Sequence, residues 1–125
     1  MRYPVTKDPD NKTEVIELDL DEVIFVDSQD RFIVFHTIEG IYYPVLPKLS
    51  TLETQLGHLG FRRLDRTNLV NTNKIKHYDH ERSLVFFDDS ITKNSKYATI
   101  SASEKSKLSD KPFGNADKAL KGREL

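Results

Sequence analysis

Short runs of β-branched and aromatic residues alternate with polar turns through the first half of the chain. Glu22–Asp27 (EVIFVD), Arg31–Thr37 (RFIVFHT) and Ile41–Leu46 (IYYPVL) are separated by Ser28-Gln29-Asp30 and by Glu39-Gly40. Residues of this kind favour a pleated, half-buried surface, and the polar clusters between them read as turns. The three runs therefore predict a β-meander. Pro44 has no backbone N–H to donate, so it marks an edge or a strand end in the third run. Upstream, Lys7–Glu14 (KDPDNKTE) predicts a loop or hairpin turn before a strand at about Val15–Leu18.

The period then changes. Leu49, Leu52, Leu56 and Leu59 recur at spacings of three and four, the signature of a helix that buries one face. Ser50 and Glu53 have capping-box spacing, and Gly57 and Gly60 are stop signals. A short amphipathic helix over Leu49–Leu56 follows, its leucines assigned to the core. Strand character returns at Phe61–Asp65. Ile75–Tyr78 and Ser83–Phe87 read as a hairpin around His80-Glu81, and Lys96–Ile100 as the last strand. Ser101 and Glu104 repeat the capping-box spacing, which predicts a second short helix over Ala102–Leu108. Asn115–Leu120 could add a helical turn in a polar tail. The expected fold class is mainly β: an elongated stack of small antiparallel sheets with one or two short helices. The expected division is an N-terminal strand/loop extension (1–14), one domain (15–108) and a polar C-terminal tail (109–125).

Composition narrows the function. A chain of 125 residues, 37% hydrophobic and 31% charged, fits one soluble domain. It has no cysteine, so disulfides, a thiol nucleophile and cysteine-ligated zinc are excluded. The sequence has no apolar run long enough to cross a bilayer and no signal-peptide core at its start. A cytoplasmic protein without membrane association is expected. The five glycines are isolated, so there is no phosphate loop. His77 and His80 have His-x-x-His spacing, but strand alternation sends their side chains to opposite faces. No metal, cofactor or enzymatic activity is expected.

Charge is uneven although the net is −1. Residues 1–30 hold 9 acidic and 3 basic residues, and the rest hold 11 acidic and 16 basic. A positive face can therefore exist on a neutral chain, and the face is what meets phosphates. Arg62, Arg63 and Arg66 cluster within Phe61–Asn71 (FRRLDRTNLVN), with Lys74 and Lys76 close behind. Alternation would put Arg62 and Arg66 on one side of an extended segment. Arginine can grip guanine edges with two parallel hydrogen bonds, and threonine or asparagine can bind phosphate or base edges. Taken alone, such a cluster is more often a solvated strand face.

The order of features changes that balance. From about Val15 to Leu108 the chain resembles the LytTR DNA-binding domain family. A strand ends in an acidic residue (Val23–Asp27), and a turn leads to a strand containing a histidine (Arg31–Thr37). A glycine turn and the leucine helix follow. Phe61–Asn71 looks like the family's F-x-R-x-H-R-S-x-x-V-N pattern, and Ile75 fits shortly after it. The resemblance implies loops that enter successive major grooves of double-stranded DNA, unlike the helix readers. It implies Arg31, Arg66 and Ser101 as base-contacting residues. Lys48, Arg63, Thr67 and Lys105 are the implied phosphate contacts.

Departures from the pattern carry consequences. Asp65 stands where histidine is common; it either orients Arg66 through a charge-assisted hydrogen bond or weakens phosphate contact. Ser101-Ala102-Ser103 stands where family members often carry arginine. The chain has no room for a receiver domain, so regulation would come through expression level, a separate partner or the tail. The expected function is a stand-alone, bacterial-type, sequence-specific transcription regulator. Its expected partner is double-stranded DNA at tandem or paired sites, which a homodimer on DNA would fit. The alternative is a protein-interaction module on the same fold that binds another regulator and has lost or weakened DNA reading.

Overall fold

Two facing cores need a sheet that is apolar on both sides, and the central strands supply it. The computed structural model describes residues 1–45 and 49–108. In chain order its elements are β1 (Arg2–Thr6), β2 (Ile16–Asp19), β3 (Val23–Gln29), β4 (Phe32–Thr37), β5 (Ile41–Pro44), α1 (Leu49–Leu56), β6 (Phe61–Arg62), β7 (Asn68–Asn71), β8 (His77–Asp79), β9 (Leu84–Phe86), β10 (Tyr97–Thr99) and α2 (Ala102–Leu108). The larger sheet has the order β2-β1-β5-β4-β3-β7-β6 and the smaller one β10-β9-β8, and the strand pairs in both are antiparallel.

Successive residues of a strand point to opposite faces. On β3 a register irregularity between Val23 and Phe25 interrupts this alternation, so that Val23 and Val26 join a core with Leu52 and Leu56 of α1 while the adjacent Ile24 and Phe25 join a second core. β7 divides the same way: Leu69 faces the α1 side and Val70 the other. That second core holds Tyr78, Val85 and Ala98 of the small sheet, with Leu64, Ile75, Phe87 and Ile100 from the connections. The result is three layers: α1, the larger sheet and the smaller sheet. Burial on both faces is why EVIFVD reads as a continuous apolar run rather than an alternating one.

The mainly β architecture and both helix spans agree with the sequence expectation. Two stretches differ. The strand expected over Phe61–Asp65 stops at Arg62, because Leu64 is fully buried and its carbonyl accepts the Ser101 N–H at 2.7 Å. Asn68–Asn71, for which the sequence pattern predicts no element, is a wholly buried strand. Its asparagines are satisfied by tertiary bonds: Asn71 Nδ2 to the Val23 carbonyl at 3.0 Å, and Asn68 Nδ2 to the Thr99 carbonyl at 2.9 Å. Pro44 ends β5, which lies between β1 and β4, so it marks a strand end and not an edge. Gly60 closes the turn after α1 with φ 99°, and a Cβ there would also stand 2.5 Å from Asn73 Nδ2. The turn suggested over Asn115–Leu120 lies outside the described residues.

Candidate nucleic-acid interface

The segment Leu64–Asn68 turns sharply because its own side chains bond its backbone. Asn68 N–H donates to the Asp65 carbonyl at 3.1 Å, and Asp65 N–H donates to Asn68 Oδ1 at 3.0 Å. Asp65 Oδ1 accepts the Thr67 N–H at 3.3 Å, two residues on, as aspartate does in turns. Arg66 and Thr67 are left at the exposed corner. Arg66 has no hydrogen bond or ion pair among the described residues.

Neighbouring elements brace this turn from three directions. From β3, Ser28 N–H donates to the Thr67 carbonyl at 2.9 Å. From β10, Thr99 Oγ1 donates to Asp65 Oδ2 at 2.9 Å. From the chain after β10, Ser101 N–H reaches Leu64 as described. Asp65 therefore neither holds Arg66 nor points free at a ligand. Its two oxygens are spent on fixing the turn, which is a third outcome beside the two considered from the sequence.

Of the other assigned positions, Arg31, Arg63, Ser101 and Lys105 lie within the described residues. Arg31 sits in the two-residue turn between β3 and β4, beside Asp30 at φ 56°. It is exposed, with its guanidinium carbon 5.3 Å from the Phe32 ring centroid. Behind that hairpin, His36 Nε2 lies within hydrogen-bond range of Asp27 Oδ1, at 2.8 Å. The His36 ring also stacks on Phe25, with centroids 4.1 Å apart. Asp27 pairs with Asn68 in the β3–β7 register, which ties this hairpin to the Arg66 turn.

Ser101 caps α2, its Oγ accepting the Glu104 N–H at 3.4 Å. The cap expected from spacing is present, but the Glu104 carboxylate pairs with Arg62 at 2.8 Å. Lys105 Nζ donates to the His80 carbonyl at 3.0 Å, joining α2 to the β8–β9 turn. Arg63 lies half-buried near Glu53 of α1, with Nε 3.6 Å from Oε1. Lys48 lies outside the described residues. Arg62, Arg63, Asp65, Arg66, Ser101 and Glu104 line one open cleft of about 730 Å³, together with Glu53, Leu64 and Ser103. Arg62 and Arg66 thus share the cleft through a bend in the chain rather than through strand alternation. Lys74, by contrast, follows β7 at its far end and lines a small groove with Asp21, Glu22 and Glu39.

Asn68, read from the sequence as an amide for phosphate or base edges, is instead buried and holds the turn, as does Thr99, which was not singled out. The Asp-x-x-Asn spacing was a readable turn signal; Thr99 lies 34 residues from Asp65 and carried none. Among the described residues no group of three or more His, Asp or Glu side chains could hold a metal. His77 is buried with Nε2 against the Asp89 carbonyl at 2.9 Å, while His80 is exposed.

The profile of the LytTr DNA-binding domain matches residues 13–112 of this chain. The chain belongs to the LytTr DNA-binding domain family. A solved LytTr DNA-binding domain, from a Bacillus cereus protein described as a methyl-accepting/DNA response regulator, superposes with a TM-score of 0.65. It is 19% identical over 87% of this chain and 94% of that one, so the likeness speaks for the fold. No curated protein matches the sequence. In this LytTr domain, then, the turns that carry Arg31 and Arg66 belong to a DNA-binding fold, and none of the described helices is long and apolar enough to cross a membrane.

Proposed function

We propose that this LytTr domain is a sequence-specific transcription regulator that reads the major grooves of double-stranded DNA with turns rather than with a helix. Arg66 and Arg31 would meet base edges, with Ser101 as a third and weaker point. Thr67, Arg63, Lys105 and Lys48 would meet phosphates, in a cytoplasmic protein working on tandem or paired sites as a homodimer. The reading rests on one observation above all. The side chains of Arg66 and Thr67 have no hydrogen bond or ion pair among the described residues, and they stand at the corner of a turn that is hydrogen-bonded to β3, to β10 and to the start of α2. A side chain that reads bases gains from a rigid support, because little ordering remains to be done on binding.

Selection of binding sites from a random duplex pool tests the reading. One recurring sequence should emerge, and affinity should fall steeply with salt. Arg66→Ala should relax the preference at one position and cost about 1–3 kcal/mol of binding. A variant that selects the same sequence with the same affinity removes Arg66 from the reading role. No affinity for any duplex at low salt, with a stable complex in a pull-down, would favour the protein-interaction alternative.

A further inference from the structure

Arg62 has no part in the reading above, yet it lines the cleft beside the Arg66 turn. Its Nη2 donates to Glu104 Oε1 at 2.8 Å, across 42 residues of sequence. Next to it, Arg63 Nε lies 3.6 Å from Glu53 Oε1, beyond hydrogen-bond range, and that nitrogen is buried with no acceptor. The two carboxylates come from α2 and α1, and both line the cleft. Three arginines and three carboxylates line it: Arg62, Arg63 and Arg66 against Glu53, Asp65 and Glu104. A cleft at the DNA-facing end is therefore close to neutral, although it holds the densest cluster of arginine in the chain.

A carboxylate and a phosphodiester offer a guanidinium the same thing, a pair of oxygens sharing one negative charge. Glu104 occupies Arg62 as a backbone phosphate would. Asp65 is committed to the turn, whereas the Glu53 and Glu104 carboxylates reach Arg63 and Arg62. We propose that Arg62 and Arg63 form a phosphodiester subsite, which Glu104 and Glu53 fill in the free protein and release when a DNA backbone enters the cleft. The proposal rests on the DNA reading above and adds an exchange step to it. Each arginine trades one anion for another, so no bare guanidinium is left at any stage. Glu53, with a side chain 46% exposed, can turn to water, and Arg63 Nε gains the acceptor it lacks. DNA held loosely on the outer turns does not reach the cleft, so the exchange favours duplexes seated on Arg66.

The test uses fluorescence anisotropy with a duplex from the selection, on wild type, Glu104→Gln, Arg62→Gln and the double variant. Glu104→Gln should bind about fivefold tighter at low salt, the scale of one partly exposed ion pair. The gain should shrink between 50 and 200 mM salt, because the Arg62–Glu104 pair that only wild type must break is itself weakened by screening. Adding Arg62→Gln should erase it. A gain that survives without Arg62 would mean general repulsion by Glu104 and would overturn the subsite, as would a Glu104→Gln variant indistinguishable from wild type. A second arm needs no DNA: the Arg62 Nε–Hε resonance is followed by NMR during titration with inorganic phosphate. It should shift at lower phosphate in Glu104→Gln than in wild type, and equal responses overturn the proposal. If no duplex binds at all but this difference persists, the DNA reading fails while the anion subsite stands.

Discussion

At the scale of single residues, Asp65 is where charge and geometry give opposite expectations. A carboxylate next to a DNA-reading arginine should repel phosphate, so its removal should tighten binding. Its bonds to Thr99 Oγ1 and Thr67 N–H argue the reverse. Hydrogen bonds to a charged group contribute about 1.5–3 kcal/mol each, whereas an exposed charge pair contributes up to about 1 kcal/mol. Geometry should win. Asp65→Ala is expected to lower both urea stability, by about 1–2 kcal/mol, and DNA affinity. Tighter binding with unchanged stability would show that Asp65 acts as a repulsive charge. Half of this was legible in the sequence: Asp65 and Asn68 have the types and spacing of a self-bonded turn. The other half was not, since Thr99 arrives from another sheet. Arg31 and Arg66 were assigned through the ordered pattern, and both are exposed. Arg62–Glu104 is a tertiary pair that no local pattern announces.

Elements were most readable where hydrophobic period and capping agreed. The first helix came from its leucine period and capping spacing, the second from capping spacing, and the β3–β4–β5 meander from β-branched and aromatic runs set between turn residues. β7 had no such signal, because asparagine disfavours strands and only buried tertiary partners reverse that preference. The β8–β9 hairpin carries a pH signature of its own. Burial raises the Asp79 carboxyl, but the Arg82 N–H at 3.0 Å, the guanidinium at 2.7 Å and its positive charge outweigh it, and the net shift is downward from 3.8. The unfolded chain therefore takes up this proton first. The stabilising contribution is whole above the unfolded value and is lost as pH falls through the lowered, folded one. Asp79→Asn should be less stable than wild type at neutral pH, and the gap should close from about pH 5 downward. Urea midpoints measured across that range check it; a gap that stays constant would mean the pair adds nothing in the folded state.

The whole molecule depends on β3 and β7 serving two cores at once. The small sheet has only three short strands, and its apolar face is completed by Ile24, Phe25 and Val70 of the larger sheet. Three short strands need such a face to be stable. On the other side, Leu56 of α1 is fully buried against Val23, Val26 and Leu69. A cavity made there is remote from the small sheet, but it loosens the strands on which that sheet rests. Leu56→Ala should cost about 2–5 kcal/mol. The loss should also appear in a single transition, with the same urea midpoint for backbone circular dichroism and for NMR signals of Tyr78 and Val85 in the small sheet. Separate midpoints, with the small sheet unfolding later, would mean two independent units. The turns that carry Arg31 and Arg66 would then lose their shared frame, since the Arg66 turn is bonded to β3 on one side and to β10 on the other. Coincident midpoints would mean that α1, far from the small sheet in sequence and in space, helps to hold the reading turn through the sheet between them.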